Sequence, residues 1–197
     1  MNPIYLNGIK VPITLPNDCQ FHEVMKYLSE KIDPQTALIT SVKINGNEVS
    51  NTEDGAVAST PWVHLDLVEV FTSHPKELAN ETLYNLVEFS KFLETQATTT
   101  ADCVAGEEFQ INFNRLIDGI STFTEAISEV KRVLKLGLFN SIQNLESELL
   151  EILKTILKNK ELDQTEPLIQ LLREDLVKNI IQWREAGLPS LIRSRDS

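Results

Sequence analysis

The chain has 197 residues, 42% of them hydrophobic and 24% charged, and its 18 lysines and arginines against 29 aspartates and glutamates leave a net charge of -11. That is apolar material for one large core or two small ones, and the negative charge excludes binding to phosphate backbones unless basic residues gather in one patch. None is visible: the densest basic stretches, Lys131-Arg132 with Lys135 and Lys154 with Lys158 and Lys160, fall near expected helix C-termini, where the helix dipole favours them.

Two cysteines, Cys19 and Cys103, make no disulfide framework. The first residues carry no basic segment or continuous apolar run, and no later stretch reaches the roughly 18 apolar residues of a membrane span. Cytoplasmic residence without membrane or nucleic-acid partners is therefore the expectation.

Near His74-Pro75 the apolar pattern changes from period two to period 3.6, which predicts two domains, residues 1–73 and 74–197. In the first, Asn7-Gly8 is suited to a type I′ hairpin between Ile4-Tyr5-Leu6 and a strand from Ile9 to Leu15. A two-residue turn pairs Leu6 with Ile9 and Ile4 with Val11. It puts Ile4, Leu6, Ile9, Val11, Ile13 and Leu15 on one face and Tyr5, Lys10 and Thr14 on the other, with Pro12 marking an edge or a bulge. Pro16-Asn17-Asp18 offers an N-cap to a helix carrying Phe21, Val24, Met25, Leu28 and Ile32, ended by Asp33-Pro34. Leu38 to Ile44 reads as a strand, Asn45-Gly46 as a second turn setting Val49 opposite Val42, and Ser50 to Pro61 as a polar connection. A last strand is expected from Trp62 to Phe71, with Val63, Leu65, Leu67 and Phe71 inward and Trp62, His64, Asp66, Val68 and Val70 outward; Glu69 breaks the inward set.

This order of elements resembles the β-grasp fold of ubiquitin, of the small sulfur-carrier proteins and of the TGS domain. The local likeness is Val42-Lys43-Ile44-Asn45-Gly46-Asn47-Glu48-Val49 followed by a strand of the form Val-His-Leu-Asp-Leu-Val-Glu-Val. The resemblance implies a sheet with one face covered by its helix and one left open, a recognition module. Sulfur carriers act through a free C-terminal Gly-Gly; here Thr72-Ser73-His74-Pro75 leads into a second domain.

In that domain Phe109, Phe113, Leu116, Ile120, Phe123, Ile127, Val130 and Leu134 alternate steps of four and three, which predicts a long helix with a coiled-coil-like seam and a close approach at Gly119. Leu138, Ile142, Leu145, Leu149, Ile152 and Ile156 repeat the pattern. Gly137 reads as the C′ residue between two helices, with Asn140 or Ser141 as cap and a continuous kinked helix as the alternative. A helix from Leu78 to Leu93, carrying Ala79, Leu83, Leu86 and Leu93, is expected to dissolve into a loop over Thr95 to Thr100. Another from Leu168 to Trp183, carrying Ile169, Leu172, Leu176, Ile180 and Trp183, is expected to stop at Gly187-Leu188-Pro189. About four helices with short connections predict an antiparallel bundle and an α+β chain.

The chemistry-bearing constellations are thin. Cys19-x-x-His22 lacks the paired spacing a structural zinc requires, no Gly-rich phosphate loop or nucleophile elbow occurs, and no His stands three residues beyond the helical glutamates as a di-iron bundle needs. No catalytic, cofactor or metal residue is assigned. The expected function is protein–protein interaction, as an adaptor or chaperone-like assembly factor, with another protein or a second copy of the chain as partner. The alternative is an enzyme or small-ligand binder with its site between the domains. Candidate contacts are Trp62, His64 and Val68 on the open sheet face, and the surplus apolar residues Leu150, Leu153, Leu157, Val177 and Ile181, which could equally fill a core, a dimer face or a groove.

Overall fold

The hairpin forms in the register its Asn-Gly turn dictates. Strand β1 (Ile4–Leu6) pairs antiparallel with β2 (Ile9–Val11), Ile4 against Val11 and Leu6 against Ile9. Asn7 and Gly8 hold the two left-handed φ angles, 49° and 78°, that a type I′ turn needs. The computed structural model describes residues 3–16, 18–49, 55–137 and 140–194; the expectations placed on Asn17, on Ser50 to Asp54 and on Leu138 lie outside these. Strand β2 ends at Val11 rather than at Leu15, because Pro12 has no N–H to continue the ladder. Ile13 and Leu15 still pack against the core, whereas Ile9 at the hairpin tip is 73% exposed.

Helix α1 (Phe21–Lys31) starts at Gln20, whose N–H donates to Glu23 Oε2 at 2.8 Å, one half of a capping box. It buries Phe21, Val24, Met25 and Leu28. Strand β3 (Leu38–Ile44) turns at Asn45-Gly46 into the two-residue β4 (Asn47–Glu48), and the Val49 N–H reaches the Val42 carbonyl at 2.8 Å. The expected strand from Trp62 to Phe71 is not continuous. Trp62–His64 is a single 3₁₀ turn and β5 runs from Val68 to Ser73. The sheet order is β2-β1-β5-β3-β4, with β1 and β5 parallel and every other pair antiparallel. Its core joins Ile4, Val42, Val68 and Val70 to the buried face of α1 and to Trp62.

By its contacts the chain divides into two units, Met1–Leu78 and Ala79–Ser197. In the helical part, α2 (Pro75–Asp102) runs straight through the expected loop. The hydroxyls of Thr95, Thr98 and Thr100 donate to the carbonyls of Lys91, Glu94 and Gln96 one turn back. The helix thus satisfies these polar groups internally, while Leu93, Ala97, Thr100 and Ala101 extend its buried stripe. Helix α3 (Phe109–Val133) buries Phe113, Leu116, Ile120, Phe123, Ile127 and Val130, the seam its spacing predicts. A Cβ on Gly119 would stand 2.8 Å from Leu93 Cδ2, which is the close helix approach.

Helix α3 closes at Lys135, not Gly137. Lys135 takes φ 52°, its N–H donates to the Arg132 carbonyl, and the Leu136 N–H reaches back to Lys131 at 3.0 Å, the two bonds of a Schellman motif. Helix α4 (Asn140–Glu161) follows, buried at Ile142, Leu149, Ile156 and Asn159. The last helical run continues through Gly187-Leu188-Pro189 as α5 (Thr165–Gln170), a π segment (Leu171–Leu176), α6 (Val177–Gln182), a second π segment (Trp183–Gly187) and α7 (Leu188–Ser194). The widened turn before Pro189 accommodates a residue that would otherwise clash with the preceding turn and break it.

Cross-helix pairs fix the directions. Leu93 meets Gly119, Lys131 bonds Glu146 at 2.7 Å while Lys160 lies 4.8 Å from the Phe113 ring, and Arg184 bonds Glu94 at 2.6 Å while Arg173 bonds Asp102. The paired contacts set α3 antiparallel to α4 and α2 antiparallel to the last helical run, and the short connection from Cys103 to Glu108 turns α3 back along α2, as in an up-down-up-down bundle.

Phe123 is 1% exposed and meets the Trp183 indole edge-on at 5.9 Å. Truncating it with F123A is expected to cost about 3–5 kcal/mol and to lower the melting temperature by many degrees; melting like the parent would place the seam at the surface. A Cβ on Gly187 would stand 2.6 Å from Trp183 Cε3 and 3.1 Å from Leu145 Cδ1. The indole is fully buried, so it can yield only by displacing its neighbours. G187A is expected to destabilise the bundle by about 1–3 kcal/mol in urea unfolding, opposite in sign to the gain that alanine brings at an open helix position.

Candidate functional site

On α4, positions Leu149 and Ile156 face the core. The residues one further on, Leu150 and Leu157, are turned 100° away and are 53% and 45% exposed. They stand two turns apart on one face, with half-buried Leu153 between them and the Glu151–Lys154 ion pair, 2.7 Å, alongside. Leu153 packs in part against the bundle core, and the two surplus positions on α6 are likewise half-buried. Val177 packs against the bundle core and Ile181 is half-buried, so these two widen the core of α6 more than they offer a surface.

The sheet surface is not the one the pattern predicts. Trp62 and Val68 are each 1% exposed; the Trp62 indole N–H donates to the Pro16 carbonyl at 3.1 Å and its backbone N–H to Cys19. Both belong to the core, and only His64 of that trio is exposed. The 3₁₀ turn at Trp62–His64 interrupts the strand, and β5 carries Val68 and Val70 inward and Glu69 and Phe71 outward. Glu69 carried the signal. It interrupts an inward row only if the row is read in the wrong phase.

The face away from α1 bears one residue from each strand in a single row, Lys10, Tyr5, Glu69, Lys43 and Glu48, in the order β2-β1-β5-β3-β4. Beside it Phe71 pairs with Ser41, the Lys43 ammonium lies 5.4 Å from the Phe71 ring centre, and the Ser41 hydroxyl donates to Glu48 at 3.0 Å.

A second apolar surface lies off the seam stripes and was missed for that reason. Phe89 and Phe92 stack at 5.8 Å, Phe92 is 51% exposed, and an open cleft of about 470 Å³ runs past Leu86 and Phe89 of α2 and Thr122 of α3. At one end of the bundle a smaller cleft of about 270 Å³ is lined by Val104, Phe109, Lys160, Asp163 and Leu168.

The perturbed ionisations have local causes. Burial, then Glu23 and Asp18, push the Cys19 thiol up, which keeps it protonated. The Thr14 hydroxyl, 3.0 Å from the Tyr27 oxygen, holds that phenol below its ordinary value, with Lys31 4.9 Å from the ring adding to the effect. His22 is engaged through Nδ1 with the Ala58 carbonyl at 3.1 Å. Among the described residues no group of three or more His, Cys, Asp or Glu side chains could hold a metal ion, and no helix is long and apolar enough to cross a membrane.

The chain has two tryptophans, Trp62 and Trp183, 1% and 0% exposed. Native fluorescence is therefore expected to be blue-shifted and nearly immune to iodide. A red-shifted component that iodide quenches would place one of the two indoles at the surface, and its persistence in W183F would assign it to Trp62.

Residues 3–74, well under half of the chain, match the model of a protein family described as the TP0873 N-terminal domain. No curated protein and no solved structure matches the chain.

Proposed function

We propose that this protein works without catalysis, as a protein-binding adaptor or chaperone-like assembly factor whose first unit is a β-grasp-like recognition module. The parallel pairing of β1 with β5 at the middle of the sheet, with β2 and β4 at its edges and one helix on one face, supports the β-grasp-like reading.

The observation that carries the interaction reading is the pair Leu150 and Leu157, about half exposed and aligned on α4. Fully burying a leucine is worth roughly 1.5–3 kcal/mol, so covering two half-exposed ones contributes about the same as burying one whole. A micromolar complex needs ~8 kcal/mol. The leucines therefore act as the anchor of a larger contact, with Leu153 and the rim charges Glu151 and Lys154 around them. The charge of -11 favours a partner of basic character and speeds encounter with it.

The double variant L150E/L157E changes only exposed positions and is expected to keep the parent's circular dichroism and melting temperature. Proteins captured by the tagged parent from its own host are expected to bind it tenfold or more weakly, a loss of ~1.4 kcal/mol or more. Unchanged capture by the folded variant would remove α4 as the binding surface.

A further inference from the structure

We infer that the open face of the sheet is a self-association surface, on which two copies pack face to face about a two-fold axis parallel to the strands and lying between β5 and β3. The argument rests on the charge row and does not depend on the α4 surface. Read across the sheet, the row is Lys10, Tyr5, Glu69, Lys43, Glu48. A two-fold axis along the strands lays the same row over itself in reverse.

Placed between β5 and β3, the axis sets Glu69 opposite Lys43 of the second copy, Lys43 opposite its Glu69, and the Tyr5 hydroxyl opposite its Glu48. Shifting the axis onto β5 sets Glu69 against Glu69. Moving it between β1 and β5 sets Lys10 against Lys43. Of the arrangements with the axis along the strands that overlap four or five of them, only the first has no like-charge contact within the row, and like charges held together act against an interface. The same placement sets Phe71 against Ser41 of the second copy, so the ring is covered by a small residue.

Size decides the strength. The four strands that overlap, β1, β5, β3 and β4, hold 3, 6, 7 and 2 residues, which at ~3.3 Å along and ~4.8 Å across the strands give a face of about 285 Å² per copy, or about 570 Å² in total, well below the 1,200–2,000 Å² of stable complexes. The association is weak and reversible, and belongs to concentrations of roughly 100 μM and above.

Sedimentation equilibrium of the full chain across that range tests it. The parent is expected to self-associate, and K43E and E69K, each verified as folded by circular dichroism, to do so at least tenfold more weakly, because each sets two like charges face to face. An equimolar mixture of K43E with E69K is expected to associate as the parent does, since every facing pair is then of opposite sign, and the double variant K43E/E69K is expected to recover self-association. The variant L150E/L157E is expected to behave as the parent here, which separates this surface from the one on α4. A parent that stays monomeric throughout, single variants that associate like the parent, or a mixture that remains monomeric would each overturn the inference.

Discussion

The register of β5 is the constraint on which the first unit depends, and two asparagine side chains set it. At one end the Asn7 N–H donates to the Val70 carbonyl, its Oδ1 accepts the Thr72 N–H at 2.9 Å and its Nδ2 donates to the Thr72 hydroxyl at 2.8 Å. At the other end the Asn45 N–H donates to the Leu67 carbonyl and its Oδ1 accepts the Leu67 N–H at 3.0 Å. Each asparagine is also the first residue of a tight turn, at φ 49° and 53°. A left-handed backbone, which asparagine tolerates, and a short side chain that mimics a peptide group are both required there. Each turn thus closes its own hairpin and grips the strand that ends the unit. A one-residue slip of β5 would break both grips and turn Val68 and Val70 to the outside.

Close approach plays the corresponding part in the bundle. Gly119 admits Leu93, Gly187 admits the Trp183 ring, and Trp183 in turn meets Phe123. The segment around Trp183 is also where regular helix gives way: Trp183–Gly187 is π-helical, Asn179 is fully buried, and its Nδ2 reaches only a distant Leu145 carbonyl at 3.4 Å. The widened turn shifts the later residues around the helix axis, so that Gly187 and Leu188 follow Trp183 into the core. An unbroken α-helix with the same sequence would distribute these side chains differently. The ion pairs Arg184–Glu94 and Lys131–Glu146, partly shielded at the helix margins, favour the antiparallel neighbours without supplying the main stability.

What could be read in the sequence was whatever local chemistry determines. The Asn-Gly turns yielded the β1–β2 register residue by residue, and the alternating steps of four and three in α3 yielded its buried face. The errors came where a distant partner or a backbone irregularity overrides the local preference. Thr95 to Thr100 looked like a loop because threonine helix propensity is low, but the hydroxyls bond within the helix and the other face of the segment is buried. Gly137 looked like the helix stop, yet Lys135 took the left-handed position because the Schellman bonds closed there. The sheet surface failed through phase alone: Trp62, Val68 and Val70 share one side as the alternation requires, but that side is the core, and Glu69 and Phe71 lie outside. Once the register is known, the outward row is fixed by topology. Before that, its five members lie scattered between positions 5 and 69.

The net charge bears on how strong any self-contact can be. Each copy carries -11, so two copies repel at a distance, yet at physiological ionic strength that repulsion is screened beyond ~8 Å. Inside this distance the facing groups dominate, and half-buried charges such as Glu69 and Lys43 are screened less than fully exposed ones. A row of alternating sign on a protein of one overall sign therefore acts late in the encounter. It contributes little to the rate of approach and much to which arrangement persists after contact, which is where electrostatic complementarity acts as a specificity device rather than as a source of affinity.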